Sequence, residues 1–204
     1  MLEDQLRRKG IRDSKVLAAM RTVPRERFVG PGQQAAAYAD GPLPIGDGQT
    51  ISQPFIVAYM TEALEPREAD TVLEVGAGSG YQAAILARIV KHVHSVEVIP
   101  RLAEMAKKNL RGIGCENVEV HEGDGFAGWP EAAPFDKIIV TAAPRDVPPA
   151  LVRQLAAGGR LVLPVGPPGG TQDLVLLVKD EEGQVAQESL CPVRFVPMVK
   201  SGER

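Results

Sequence analysis

Apolar residues along this chain switch between two periods, and the switch divides it. From Leu2 to Met20 they recur at helical spacing, with Val16, Leu17 and Met20 on one face and Asp13 or Ser14 placed to cap, so two short helices are expected. Between Pro24 and Pro54 the periodicity gives way to a Gly- and Pro-rich stretch that still carries particular polar residues, among them Asp47, Gln49, Thr50 and Ser52. Ordered loops of that length in compact folds tend to serve function. Ser52 stands where an N-cap is needed, and Phe55, Tyr59, Met60 and Ala63 form one stripe of the helix that follows.

After Asp70 the rhythm becomes strand, loop, helix. Expected strands are Thr71 to Val75, Val93 to Val98, Val118 to His121, Lys137 to Thr141 and Arg160 to Val165. One helix should follow Gly80 and run through Arg88, and a second should span Pro100 to Arg111 with Leu102, Met105, Ala106 and Leu110 buried. Leu174 to Lys179 and Val185 to Val193 read as a closing pair around Glu182-Gly183. Alternating strands and helices predict an α/β fold, Rossmann-like and doubly wound: a mostly parallel sheet with helices on both faces, after an N-terminal helical and loop extension. The 204 residues are read as a single domain, with 1–69 the N-terminal helices and loop and 70–204 the sheet.

Composition narrows the function classes. Hydrophobic residues at 44% and charged residues at 24% fit a globular chain and argue against long disordered segments. The formal net charge is -3 and the cations are scattered, so a nucleic-acid partner is not expected. Apolar runs are strand-length, and the chain opens on Glu3, Asp4, Arg7, Arg8 and Lys9, so neither a membrane span nor a signal peptide is expected and a cytoplasmic monomer is the default. Cys115 and Cys191 form no CxxC pair. His92 and His94 alternate in a strand and so share a face, but no third ligand follows at a recognisable spacing, and no metal is expected.

The chemistry concentrates at strand ends. Val72-Leu73-Glu74-Val75-Gly76-Ala77-Gly78-Ser79-Gly80-Tyr81 runs from an apolar strand through a glycine turn into a helix, the βα unit that holds a nucleotide in open α/β sheets. Its spacing is G-x-G-x-G, not the dinucleotide G-x-G-x-x-G, and no Gly-Lys-Ser/Thr of a P-loop is present, which disfavours NAD and ATP. Glu97, ending the next strand before Val98, is placed to accept both ribose hydroxyls of an adenosine. Gly123-Asp124-Gly125-Phe126, after the third strand, places a carboxylate and a ring near an adenine edge, although Asp-Gly alone is usually a turn. Together these describe an adenosine pocket without a phosphate cradle, which fits S-adenosylmethionine.

Those residues resemble the class I methyltransferases. The segment Pro42-Leu43-Pro44-Ile45-Gly46-Asp47-Gly48-Gln49-Thr50-Ile51-Ser52-Gln53-Pro54 is similar, more narrowly, to one peculiar to the protein-L-isoaspartate O-methyltransferases. Similarity continues through Phe135 to Pro144, Gly158 to Gly166 and Val193 to Pro197. The resemblance implies methyl transfer from S-adenosylmethionine, leaving S-adenosylhomocysteine, to the free α-carboxylate of L-isoaspartyl residues in damaged proteins and peptides, followed by collapse to a succinimide. It implies catalytic roles for Ser52 and Thr50. It implies cofactor contacts from Glu74, Gly76, Ala77, Gly78, Ser79, Gly80, Glu97, Val98, Gly123, Asp124, Gly125 and Thr141, and substrate contacts from Ile51, Gln53, Ala142, Ala143 and Val196. Read from the residues alone, Ser52 is as well explained as a helix cap. A methyltransferase of the same fold with a small-molecule or nucleic-acid acceptor, and a non-catalytic adenosine binder, are the alternatives; fold does not choose among them.

Overall fold

The computed structural model describes residues 2–200; position 1 and positions 201–204 of the expected domain lie outside the described residues. The two N-terminal helices are α1 (Leu2–Arg8) and α2 (Ser14–Thr22). Asp13 is the cap of α2, its Oδ1 accepting from the backbone N–H of Lys15 at 2.7 Å and of Val16 at 3.1 Å. The turn between them is held from a distance: Glu62 Oε1 accepts from the backbone N–H of Arg12 at 2.6 Å and of Asp13 at 2.5 Å. Beyond α2, Arg25 is fully buried. Its Nε donates to the Ala37 carbonyl at 2.6 Å and its guanidinium lies 4.9 Å from the ring centre of Tyr81, which docks this segment on the sheet-side helices.

The stretch from Pro24 to Pro54, expected as loop, contains two 3-10 turns (Arg25–Arg27 and Gln34–Ala36) and an antiparallel hairpin of β1 (Leu43–Gly46) and β2 (Gln49–Ile51). Strands of three or four residues are too short to show an alternation, whereas the turn is readable afterwards: Gly46, Asp47 and Gly48 all have positive φ, at 100°, 50° and 68°. Helix α3 (Pro54–Leu64) corrects two expectations. Its N-cap is Gln53, without a side-chain bond, and Pro54 opens the helix, so Ser52 lies outside it and does not cap it. Its deep face is Val57, Ala58, Met60, Thr61 and Leu64, while Phe55 and Tyr59 stack on each other half-buried, with ring centres 5.6 Å apart.

The main sheet contains β3 (Thr71–Val75), β4 (His92–Glu97), β5 (Val118–Glu122), β6 (Phe135–Val140), β7 (Leu155–Val165), β8 (Gln172–Lys179) and β9 (Val185–Val193), in the order β5-β4-β3-β6-β7-β8-β9. Pairing is parallel from β5 to β7, and β8 and β9 close the sheet as the expected antiparallel pair. One face carries Val72, Val93, Ile139 and Val162 against α1 to α3, α4 (Tyr81–Ala87) and α5 (Pro100–Gly112). The other face, with Leu73, Val75, Ile138 and Leu161, is covered more thinly, by α6 (Pro149–Gln154) and the segment around Trp129. Helix α6 has six residues behind two prolines and shows no period in the sequence. Chain order reverses at β3, whose neighbours are β4 and β6, and a crevice opens outside the carboxyl ends of these strands.

Glu74, one residue before the end of β3, is fully buried and accepts from Ser95 Oγ on β4. Burial pushes its carboxyl up to about 8, against the opposing effect of that hydrogen bond, so it is neutral in the folded protein at neutral pH. The unfolded chain releases this proton near 4.5, so the contribution to stability is whole below that value, falls as pH rises and is gone above about 8. Glu74→Gln should remove this slope: in denaturant titrations the native chain should lose more stability than the variant between about pH 5 and about pH 8, by more than about 1 kcal/mol. Equal losses would mean that Glu74 does not titrate in this window. Glu62→Ala strips two backbone donors of their acceptor and should cost about 1–3 kcal/mol in the same measurement at constant pH.

Candidate active site

The glycine turn leaves β3 at the reversal point. Gly76 and Ala77 donate their backbone N–H groups to the carbonyl of Val96 on the neighbouring strand, at 2.8 and 3.3 Å. Gly76 has φ 98°, and a Cβ there would stand 2.5 Å from Thr141 Oγ1, so neither the conformation nor the space admits a side chain. Thr141, just past β6, donates its hydroxyl to the Gly76 carbonyl at 2.7 Å. Gly80 has φ 87° and packs on Ala106 and Leu110 of α5, which brings that helix close to the turn.

Glu97 ends β4 and is almost fully buried, at 5% exposure. Its Oε2 accepts from the Gly78 N–H at 2.8 Å and its Oε1 from the Ile99 N–H at 2.9 Å, so one carboxylate joins the glycine turn to the exit of the next strand.

These groups wall a first cleft. Of the residues expected from the sequence, Thr50, Gly76, Gly78, Glu97, Val98, Gly125, Thr141, Ala142 and Val196 all line it. A second, wider cleft is lined by Thr50, Ser52, Gln53, Thr141 and Val196 together with Ile56, Thr171, Arg194 and Phe195. Thr50, Thr141 and Val196 belong to both walls and form the seam between the clefts. A small recess beside the seam takes in Ile51, Ala77 and Ser79. Among the described residues, the ionisable side chain on the wall of the first cleft is Glu97 and on that of the second is Arg194, and no histidine, cysteine or lysine lines either.

Other expected residues stand elsewhere. Glu74 is in the core beneath the turn and lines none of these clefts, a correction to its reading as a cofactor contact. Gly80 faces α5. Gly123 and Asp124 are outside the walls, and Asp124 Oδ1 accepts from the backbone N–H of Phe126 at 2.9 Å, closing a local turn. Ala143 lies buried behind the wall, where its N–H donates to the Val196 carbonyl at 2.8 Å and its carbonyl accepts from the Met198 N–H at 2.9 Å.

That pairing explains which residues the sequence reading missed. Pro197, Met198 and Val199 reach the first cleft because the segment after β9 returns alongside Ala143, and nothing local announces such a return. Gln49 and Ile99 also line it; both adjoin residues that were identified, and following the strand exit past Glu97-Val98 would have included Ile99. The hairpin is pinned over this region: Arg101 of α5 donates through Nε to Asp47 Oδ2 at 2.5 Å, and Gln53 donates to Asp40 Oδ1 at 2.8 Å. Lys9 pairs with the same Asp40 and holds its carboxyl below the usual range.

Comparison with known proteins gives the chain's family. A family model described as protein-L-isoaspartate(D-aspartate) O-methyltransferase matches residues 1–203. Protein-L-isoaspartate O-methyltransferase 2 of Pelobacter propionicus is 57% identical over 199 residues, covering 98% of this chain and 88% of its own. The protein-L-isoaspartate O-methyltransferase of Anaeromyxobacter dehalogenans is 56% identical over 198 residues, covering 97% and 95%. Among solved structures, a protein-L-isoaspartate O-methyltransferase superposes with a TM-score of 0.88 at 30% identity, covering 98% of this chain and 65% of that one. A putative one from Plasmodium falciparum, in complex with S-adenosyl-L-homocysteine, gives 0.83 at 25% identity, covering 98% and 97%. With a match along nearly its whole length and relatives identical at more than half of the aligned positions, the chain belongs to the protein-L-isoaspartate(D-aspartate) O-methyltransferase family.

Proposed function

We propose that this chain transfers the methyl group of S-adenosylmethionine to the free α-carboxylate of L-isoaspartyl residues in proteins and peptides. The observation that carries this reading is the seam: Thr50, Thr141 and Val196 divide a cleft walled by the glycine turn and Glu97 from a wider one whose wall carries Arg194 and, among the described residues, no general base. The first cleft fits the cofactor, because its glycine cradle would be filled by a Cβ and its wall offers one carboxylate and no lysine or arginine of the kind a phosphate calls for. When bound there, S-adenosylmethionine supplies an electrophilic methyl on a sulfonium.

The residues have separate tasks in this reading. Glu97, already oriented by two backbone donors, has lone pairs left for a ribose diol. Gly76 and Gly78 allow close approach of the backbone, and Val98, Ile99 and Gly125 form apolar walls for a base. In the second cleft Arg194 attracts the substrate carboxylate, while the Ser52 and Thr50 hydroxyls orient it at the seam. A carboxylate is ionised at neutral pH, so the acceptor would need no general base at the seam: its oxygen would take the methyl that the cofactor supplies, the carbon–sulfur bond giving way, with no proton to move. Anion and cation become two neutral groups, a charge change that expulsion of water by the bound substrate would favour. The methyl ester then loses methanol to a succinimide without help from the protein, and water reopens the ring in part to normal aspartate.

The acceptor assignment is tested by transfer of labelled methyl to an isoaspartyl peptide beside the normal aspartyl peptide. Base-labile label should appear in the isoaspartyl peptide alone; cofactor binding with no label in it would refute the acceptor. Ser52→Ala should lower kcat/KM for that peptide about tenfold or more, about 1.4 kcal/mol, with cofactor affinity unchanged. Calorimetry with S-adenosylhomocysteine should show Glu97→Gln binding at least about tenfold more weakly, with an unaltered circular-dichroism spectrum. Full affinity in that variant would remove Glu97 from the ribose contact.

A further inference from the structure

The sequence has three histidines, and all three converge on one side of the sheet at its edge. His94 of β4 pairs in register with Glu119 of the edge strand β5. His92 lies two residues before His94 and His121 two residues after Glu119, so alternation places all four side chains on the same face. None lines the clefts described above.

Their donor atoms face one another. His92 Nε2 is 3.3 Å from Glu119 Oε1, His94 Nδ1 is 3.1 Å from His121 Nε2, and Glu119 Oε2 is 4.0 Å from His94 Nδ1 and 3.9 Å from His121 Nε2. The donors of His92, His94 and Glu119 all lie within 4.8 Å of one another. Zinc–nitrogen bonds of about 2.0–2.1 Å in a tetrahedron separate neighbouring ligand atoms by about 3.3–3.4 Å; the His92–Glu119 and His94–His121 separations of 3.3 and 3.1 Å match this, and the His94–Glu119 and His121–Glu119 separations of 4.0 and 3.9 Å would contract on binding.

The rings are also held in place. His121 stacks on Trp129 with ring centres 3.9 Å apart, and His94 meets the Phe135 ring edge-on at 5.8 Å. His92 Nε2 is shielded from water and makes no hydrogen bond, while the Glu119 side chain is 59% exposed and leaves a way in from solvent. Every ion-pair contact of Glu119 among the described residues is with these histidines, so no lysine or arginine neutralises it.

We propose that His92, His94, His121 and Glu119 form a binding site for a divalent transition-metal ion, represented by Zn2+, that ties edge strand β5 to β4. Three imidazole nitrogens and one carboxylate suit Zn2+ and its neighbours and are poor ligands for Ca2+ or Mg2+, which take oxygen. The sequence offered no third ligand beside His92 and His94 because the other two donors come from the adjacent strand, where linear spacing carries no signal.

The test is calorimetric titration of the full chain with Zn2+, with Co2+ absorption spectra as a second reading of the ligand sphere. One ion should bind per chain, Co2+ should give the visible bands of a four-coordinate nitrogen and oxygen site, and saturating Zn2+ should raise the Tm. His94→Ala and Glu119→Gln should each weaken binding about tenfold or more and abolish the rise in Tm, whereas Cys115→Ser with Cys191→Ser should leave both intact. Because the Glu119 side chain lies mostly in solvent, Glu119→Gln decides the matter if His94→Ala does not fold. Absence of saturable binding, binding undiminished in Glu119→Gln, or binding lost with the cysteines would each overturn the proposal.

Discussion

The carboxylate of Glu97 and the two backbone N–H groups it accepts from hold the candidate active site together. Parallel strands leave their terminal N–H groups unpaired once the chain turns away, and β3 and β4 depart toward different elements. Glu97 satisfies Gly78 on one side and Ile99 on the other, so the glycine turn and the exit of β4 keep a fixed separation. Thr141 does the same from β6, through its hydroxyl bond to the Gly76 carbonyl and its backbone bond to Val75. Three strand ends are thereby locked together by polar contacts.

Around this lock the molecule is built asymmetrically. The face carrying α1 to α5 is thickly packed, with Arg25 and Glu62 serving as internal fasteners that join the N-terminal helices to the sheet-side ones. That packing supports the β1–β2 hairpin, which supplies Thr50 to the seam between the two clefts. The opposite face is thin near β4 and β5, and it is there that polar and aromatic side chains, not helices, cover the sheet.

What was legible in the sequence followed from length and periodicity. β3 and β9 were placed to the residue, and the order of the strands after Asp70 with the two helices α4 and α5 was plain, because these elements are apolar or long enough to repeat. The hairpin and α6 escaped because three to six residues cannot display a period. Ser52 looked like a cap because it precedes an apolar run, but a proline at the start of α3 moved the boundary beyond it. Within the site, the glycine turn and Glu97 could be read from local chemistry, since backbone conformation and strand ends are local matters. Glu74 could not be separated from them by pattern: it sits one residue before the strand's last position, and alternation turns it into the core.

The return of the chain beside Ala143 has a consequence for synthesis. The first cleft begins at the glycine turn and is finished by Val196, Met198 and Val199, which come after every strand of the sheet. A growing chain that has already made its glycine turn, Glu97 and Thr141 still lacks one wall. The wall of the first cleft therefore becomes complete only after β8 and β9 have been added and the segment behind them has folded back.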